Sequence, residues 1–246
     1  MKNILLIHGW DYDNYYGRCT DVAWTNRMKF INELQKEYNV YYPDLPGFGK
    51  NKEPNAKKWT LDDYAKYIDK YIKDNNLDID YILGYSFGGA VAVRYKTLFN
   101  NDIKEILVSP ALIRNEDKSK KFMKTPKFVE PIRNALRDAY LIKVVKVEEK
   151  VYGTKFLRNT YQSIVRENML DELEKLNSND FKIIYGSEDN MVNPSRVLST
   201  VSDKVKERIS VINGGGHNIS MTHSLELISL IDDFVNSNDY KKKLIK

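Results

Sequence analysis

The stretch Gly84-Tyr85-Ser86-Phe87-Gly88-Gly89 directly follows the apolar run Tyr81-Ile82-Leu83 and decides how the rest of the sequence is interpreted. The pattern predicts a strand that turns sharply into a helix, with the Ser86 hydroxyl at the apex beside the helix N-terminus. Glycine two residues before and two residues after Ser86 has a steric reason, because a strained turn brings backbone segments into contact there. The pattern by itself is a weak signal, so the surrounding sequence has to supply the chemistry.

Short apolar or β-branched runs alternate with longer amphipathic runs along the chain. This alternation predicts an α/β fold with a doubly wound, mostly parallel, six-stranded sheet that has helices on both faces. The predicted strands are residues 4–7, 39–43, 81–83, 105–108, 181–185 and 208–212. The predicted helices are residues 24–37, 60–75, 88–98, 194–201 and 224–235, and Thr60 with Asp63 resembles a capping box.

The alternation stops between Pro110 and Asn179, where no strand pattern is found. Three helical patches fall in this stretch, at residues 129–139, 141–151 and 161–176. We therefore expect a core formed by residues 1–110 and 180–246, with a helical cap inserted at residues 111–179 over the carboxyl edge of the sheet. The sequence favours a lid role for this insertion, and the alternative is that it only lengthens the structure.

Composition narrows the classes of protein and of partner. The chain has 246 residues with 42% hydrophobic content, enough for one large α/β domain. The net charge of +5 arises in residues 114–177 and is spread along helical patches, which favours a solvated face over a nucleic-acid site. No apolar run approaches the length of a membrane span, and the single cysteine, Cys19, excludes an internal disulfide. We expect a cytoplasmic protein that is a monomer or a homodimer.

A serine hydroxyl is a poor nucleophile unless a base accepts its proton and a carboxylate orients that base. The sequence contains three histidines, and His217 follows a predicted strand within Gly214-Gly215-Gly216-His217. This placement puts His217 at the same edge of the sheet as Ser86, so it is the expected base. Asp189 follows the preceding predicted strand, residues 181–185, and is the expected acid, with its neighbour Glu188 as the alternative.

The segment His8-Gly9-Trp10 follows the first predicted strand and reaches the same edge of the sheet. The backbone N–H groups of Trp10 and Phe87 are therefore the expected oxyanion donors for a reaction at Ser86. His8 and His223 are expected to be structural, because His217 already fills the position of the base.

Five segments in this order resemble the α/β-hydrolase superfamily, and within it small carboxylesterases of the pimeloyl-ester esterase kind. They are Leu6-Ile7-His8-Gly9-Trp10, Asp44-Leu45-Pro46-Gly47-Phe48-Gly49, Gly84-Tyr85-Ser86-Phe87-Gly88-Gly89, Gly186-Ser187-Glu188-Asp189 and Gly216-His217. The resemblance implies a serine hydrolase of small carboxylic esters that works through an acyl-enzyme and needs no metal or organic cofactor. An apolar pocket for a small-molecule ester would then be lined by Trp10, Phe87, the loop 11–21 and the insertion.

Other functions remain compatible with the same residues. The fold also hosts thioesterases, amidases and carbon–carbon bond hydrolases that use the same triad. A rival from a different class is a non-catalytic scaffold that binds a ligand or a partner, although no binding role requires all three triad residues. The acyl and alcohol preferences depend on packing in the insertion, which the sequence does not determine.

Overall fold

The computed structural model describes residues 1–18, 21–113, 153–165 and 167–244, with side chains described up to residue 238. Cys19 and the predicted helical patches 129–139 and 141–151 lie outside the described residues. No helix within the described ranges is both long enough and apolar enough to cross a membrane.

A single six-stranded sheet runs through the described part of the chain, in the order β2-β1-β3-β4-β5-β6. Every neighbouring pair is parallel, so the predicted doubly wound sheet is confirmed and is parallel throughout rather than mostly parallel. The strands are β1 (Lys2–Ile7), β2 (Tyr38–Tyr41), β3 (Tyr81–Tyr85), β4 (Lys104–Val108), β5 (Phe181–Gly186) and β6 (Ile209–Ile212).

Helices connect these strands and cover the sheet. They are α1 (Met28–Leu34), α2 (Leu61–Asp74), α3 (Phe87–Phe99), α4 (Lys155–Ile164), α5 (Leu170–Lys175), α6 (Pro194–Thr200), α7 (Asp203–Lys206), α8 (Ile219–Thr222) and α9 (Ser224–Leu244). The capping box at Thr60 and Asp63 is present at the start of α2, and Asn193 caps α6 with Pro194 in its first turn.

The strands are buried on both faces because their side chains alternate between two apolar cores. Leu5, Ile7 and Ile82 point towards α2 and α3, whereas Ile4, Leu6 and Leu83 point towards α1 and α9. Because the strands are parallel, the carboxyl ends of β1, β3, β5 and β6 lie at one edge of the sheet. The loops that follow these four strands carry the residues singled out in the sequence.

Three predicted helices differ from the structure. The prediction of one helix over 161–176 is wrong, since α4 ends at Ile164 and α5 begins at Leu170. The predicted helix 24–37 begins only at Met28, after the 3-10 turn Thr25–Arg27, and ends at Leu34. The predicted helix 224–235 continues to Leu244.

The sequence did not predict the start of α4, because its N-cap residue, Thr154, lies before the predicted segment 161–176. Thr154 caps α4 by accepting a hydrogen bond from the Leu157 N–H at 3.2 Å. At α5 the Asn168 side chain accepts from the Leu170 N–H, also at 3.2 Å. Each of the two helices therefore has its own polar residue satisfying its first amides.

Candidate active site

Ser86 occupies the sharp turn between β3 and α3. Its backbone has φ 52° and ψ −112°, a conformation that residues other than glycine rarely adopt. The Ser86 N–H donates to the Val108 carbonyl at 2.9 Å, and the Ser86 carbonyl accepts from the N–H groups of Gly89 and Ala111, both at 3.0 Å. These three hydrogen bonds hold the strained turn in place.

The glycines on either side of Ser86 are required by close backbone contact. A Cβ atom at Gly84 would lie 2.5 Å from the Gly88 carbonyl oxygen, and one at Gly88 would lie 2.1 Å from the Ile7 carbonyl oxygen. Both distances are far below van der Waals contact, which confirms the steric reason expected for this pair.

The structure brings Ser86, His217 and Asp189 together in one hydrogen-bonded chain. His217 Nε2 lies 3.0 Å from Ser86 Oγ, and His217 Nδ1 lies 2.8 Å from Asp189 Oδ2. Glu188, the alternative acid, is exposed and is not the carboxylate that contacts His217. A carboxylate at Nδ1 requires the imidazole proton on Nδ1, which leaves Nε2 free to accept the proton of Ser86.

The Asp189 carboxylate is fully satisfied although its side chain is buried. Asp189 Oδ1 accepts from the N–H groups of Met191 and Val192, both at 2.9 Å, while Oδ2 contacts His217. Burial alone would raise the pKa of Asp189, but the hydrogen bonds from His217 and from these amides hold the pKa below its ordinary value. Asp189 is therefore a carboxylate at neutral pH.

The other two histidines lie elsewhere in hydrogen-bond networks. Both ring nitrogens of the buried His8 are engaged: Nε2 accepts from the Leu45 N–H at 2.9 Å, and Nδ1 donates to the Gly9 carbonyl at 2.8 Å. Burial lowers the pKa of His8, so this residue is a neutral link between the loops that follow β1 and β2. His223 Nδ1 contacts the Thr222 hydroxyl at 2.8 Å.

The expected oxyanion residues, Trp10 and Phe87, both lie beside Ser86 in the wall of the same cavity. Within the described residues, neither backbone N–H donates to another group. The Trp10 ring is held by Phe87 and Tyr161, with ring centroids 5.4 Å and 5.3 Å away, and its indole N–H donates to the Tyr15 hydroxyl at 2.7 Å. These contacts hold the Trp10 side chain in the wall of the cavity.

A cavity of about 370 Å³ opens beside Ser86 and His217, a size suited to a small ligand. Most of its described lining is apolar or aromatic: Trp10, Tyr12, Phe87, Ala90, Ala111, Ile113, Tyr161, Ile164, Val165, Met191 and Val192. The sequence predicted that the loop 11–21 and the insertion contribute to this lining, but it did not single out individual residues there. Ala90 could have been identified, because it follows Phe87 by about one helical turn on α3.

The family of the chain follows from a comparison with known proteins. A model of the alpha/beta hydrolase family matches residues 4–227. The chain belongs to the alpha/beta hydrolase family.

Curated relatives within this family cover different shares of the chain. A pimeloyl-[acyl-carrier protein] methyl ester esterase from Pseudoalteromonas atlantica is 27% identical over 118 residues, which are 47% of this chain and 40% of the esterase. The chain thus spans less than half the length of that relative. A 2-hydroxymuconate semialdehyde hydrolase from Pseudomonas is 20% identical over 243 residues, covering 88% of this chain and 83% of the hydrolase.

Solved structures of hydrolases share the fold along nearly the whole chain. A meta-cleavage product hydrolase from Pseudomonas fluorescens superposes with a TM-score of 0.65 at 21% identity, covering 97% of this chain and 92% of the other. A thermophilic esterase from Thermogutta terrifontis superposes with a TM-score of 0.66 at 18% identity, covering 96% and 90%. At these identities the likeness establishes the fold alone.

Proposed function

We propose that this alpha/beta hydrolase is a serine hydrolase that cleaves small carboxylic esters through an acyl-enzyme. The observation that carries the proposal is the continuous hydrogen-bonded chain from Ser86 Oγ through His217 to the buried Asp189. The Ser86 hydroxyl, at one end of these hydrogen bonds, faces a cavity with a largely apolar lining, where an acyl group can be held against it.

In acylation, Ser86 Oγ attacks the ester carbonyl carbon while His217 Nε2 takes the hydroxyl proton. The carbonyl oxygen becomes an oxyanion and accepts hydrogen bonds from the backbone N–H groups of Trp10 and Phe87. As the tetrahedral intermediate collapses, the imidazolium returns the proton to the leaving alkoxide, and the alcohol departs. Asp189 stabilises the imidazolium and keeps the proton of Nδ1 in place.

Deacylation repeats the same sequence with water as the nucleophile. His217 Nε2 takes a proton from a water molecule as the water attacks the acyl carbonyl, and the same two amides again hold the oxyanion. The intermediate collapses when the proton moves to Ser86 Oγ, which releases the carboxylic acid and restores the starting hydroxyl. No step requires a group beyond the substrate, water and these residues.

The placement of α4 supports a cap formed by the insertion at residues 111–179. Tyr161, Ile164 and Val165 line the cavity, and the Tyr161 ring packs on Trp10 beside the triad. In this proposal the core supplies the reacting groups and the insertion supplies part of the substrate wall.

A carbon–carbon bond hydrolase is the second candidate. The observation in its favour is the similarity to the 2-hydroxymuconate semialdehyde hydrolase, which extends over 88% of this chain. The same triad also suits thioesters and amides, so the substrate classes are compared directly: p-nitrophenyl esters, an acyl thioester, an acyl anilide and a 2-hydroxy-6-oxo-dienoate. The ester proposal predicts the highest kcat/KM for an ester, whereas the highest value for the dienoate would favour the second candidate.

The triad is tested by labelling with a fluorophosphonate probe, followed by mass spectrometry of the adduct. We expect one adduct, on Ser86. The Ser86→Ala variant should lose both this adduct and the turnover of p-nitrophenyl acetate and butyrate. Ser199→Ala is the matched control, because Ser199 is an exposed serine on α6 and its removal should leave labelling and turnover unchanged. Equal turnover by wild type and Ser86→Ala would refute the proposal and favour a non-catalytic binding scaffold.

A further inference from the structure

Tyr85 directly precedes the proposed nucleophile and contacts the loop that carries the proposed base. Its side chain is 1% exposed, and its hydroxyl donates to the backbone carbonyl of His217. The same hydroxyl lies 3.4 Å from Asn218 Oδ1, and the rings of Tyr85 and His217 meet edge to face with centroids 5.9 Å apart. Tyr85 is thus covalently attached to Ser86 and hydrogen-bonded to the backbone of His217.

Arg27 contacts both Tyr85 and the loop after β6 that carries His217. Its guanidinium carbon lies 4.7 Å from the centroid of the Tyr85 ring, within the range of a cation–π contact. Arg27 Nη2 donates to Asn218 Oδ1 at 2.8 Å, and Nη1 lies 3.7 Å from Asp11 Oδ2, next to Trp10. One arginine therefore links the loop after β1 to the loop after β6.

We propose that Tyr85 is a positioning residue that sets the distance between Ser86 Oγ and His217 Nε2. The inference rests on the proposed function, because it assigns Tyr85 a role in proton transfer between these two atoms. The physical argument is that Tyr85 acts on both ends of this distance at once, through the peptide bond to Ser86 and the hydrogen bond to the His217 carbonyl. Proton transfer requires hydrogen-bond geometry, and a displacement of about 1 Å can cost about 100-fold in rate.

The decisive variant is Tyr85→Phe, which keeps the buried ring and removes only the hydroxyl. We expect kcat for p-nitrophenyl butyrate to fall about tenfold, because the His217 carbonyl loses its buried donor and the imidazole is held less firmly. The KM is expected to stay within about twofold of wild type, and the rate of fluorophosphonate labelling at Ser86 should fall by the same factor as kcat. A purely structural role would lower the melting temperature without this selective loss of kcat.

Tyr64→Phe is the matched control. Tyr64 is a buried tyrosine whose hydroxyl lies 3.4 Å from the Pro46 carbonyl oxygen, and it belongs to the core on the opposite face of the sheet. This variant makes the same chemical change and should leave kcat within about twofold of wild type. A tenfold loss of kcat in Tyr64→Phe as well as in Tyr85→Phe would overturn the inference.

Arg27→Met keeps the inference testable if Tyr85→Phe does not fold. It retains an unbranched apolar side chain and removes the contacts to the Tyr85 ring and Asn218, so kcat should fall at least about threefold at unchanged KM. Unchanged kcat in the folded Tyr85→Phe protein, or in Arg27→Met when only that variant folds, would overturn the positioning role. Such a result combined with an inactive Ser86→Ala would leave the proposed triad intact, whereas an active Ser86→Ala would refute the triad itself.

Discussion

Glu105 is a buried acid on β4 with no hydrogen-bond partner for either carboxyl oxygen among the described residues. Its side chain is 1% exposed, and burial raises its pKa to about 8. The positive charge of Lys96 opposes this shift, but the Lys96 ammonium is engaged with the Ile103 carbonyl at 2.8 Å, and the nearby Asp180 adds to the shift. Glu105 therefore folds into the core in its protonated form.

The sign and size of the effect on stability follow from the two protonation states. In the unfolded chain the carboxyl ionises near its ordinary value of 4.5, so between that pH and about 8 the folded protein holds a proton that the unfolded chain has lost. The free energy of unfolding therefore falls as pH rises through this window. At about 1.4 kcal/mol per pH unit, Glu105 destabilises the fold by about 4 kcal/mol more at pH 9 than at pH 5. That loss is a large share of the roughly 5–15 kcal/mol typical of a domain.

The variant that measures this effect is Glu105→Gln, which keeps the shape of the side chain and cannot ionise. Urea unfolding at pH 5, 7 and 9 gives the free energy of unfolding of each protein, and the advantage of the variant over wild type should grow steadily with pH. The control is Glu207→Gln, which removes an exposed glutamate and should follow the pH dependence of wild type. A growth of less than about 1 kcal/mol between pH 5 and pH 9 would refute the reasoning, since Glu105 would then be ionised in the folded protein at little cost.

Two further variants test the site at single atoms. Asp189→Asn should lower kcat by about 10³- to 10⁴-fold with the fold retained, because an amide facing His217 favours the tautomer that cannot accept the Ser86 proton. Steady-state kinetics measure the loss of kcat, and circular dichroism measures whether the fold is retained. A loss of kcat below tenfold would contradict the role assigned to Asp189. Gly88→Ala should lower the melting temperature and abolish activity, because its Cβ would lie 2.1 Å from the Ile7 carbonyl oxygen; a variant with wild-type stability would show that the backbone contact can relax.

The parts of the fold that the sequence predicted are those encoded by local patterns. Each strand near the site is a short apolar run, and each proposed catalytic residue lies in the turn or loop that follows such a run. The parallel sheet therefore brings Ser86, Asp189 and His217 to one edge. The sequence named Asp189 as the expected acid with its neighbour Glu188 as the alternative, and the structure places Asp189 against His217.

The break between α4 and α5 could not be predicted because a contact distant in sequence determines it. Tyr161 and Ile164 on one side of the break, and Leu170 and Leu173 on the other, each have the i,i+3 spacing of a helix, so the local pattern favours helix on both sides and does not mark the break. In the structure the Met169 N–H instead donates to the Leu112 carbonyl at 3.0 Å, so this amide is satisfied by the segment after β4 and not by a helical turn. The contact between Tyr85 and His217, which are 132 positions apart, was missed for the same reason.

The three hydrogen bonds that hold Ser86 in its strained turn have a consequence for how this protein can diversify. Their partners, Val108, Gly89 and Ala111, belong to the strand-and-helix framework or lie just after β4, and none of them comes from α4. Substitutions in α4, at Ile164 for example, can therefore change the shape of the cavity while the backbone geometry of Ser86 is inherited unchanged. If the proposed function holds, new substrate preferences can thus arise through successive single substitutions that each leave the turn at Ser86 in place.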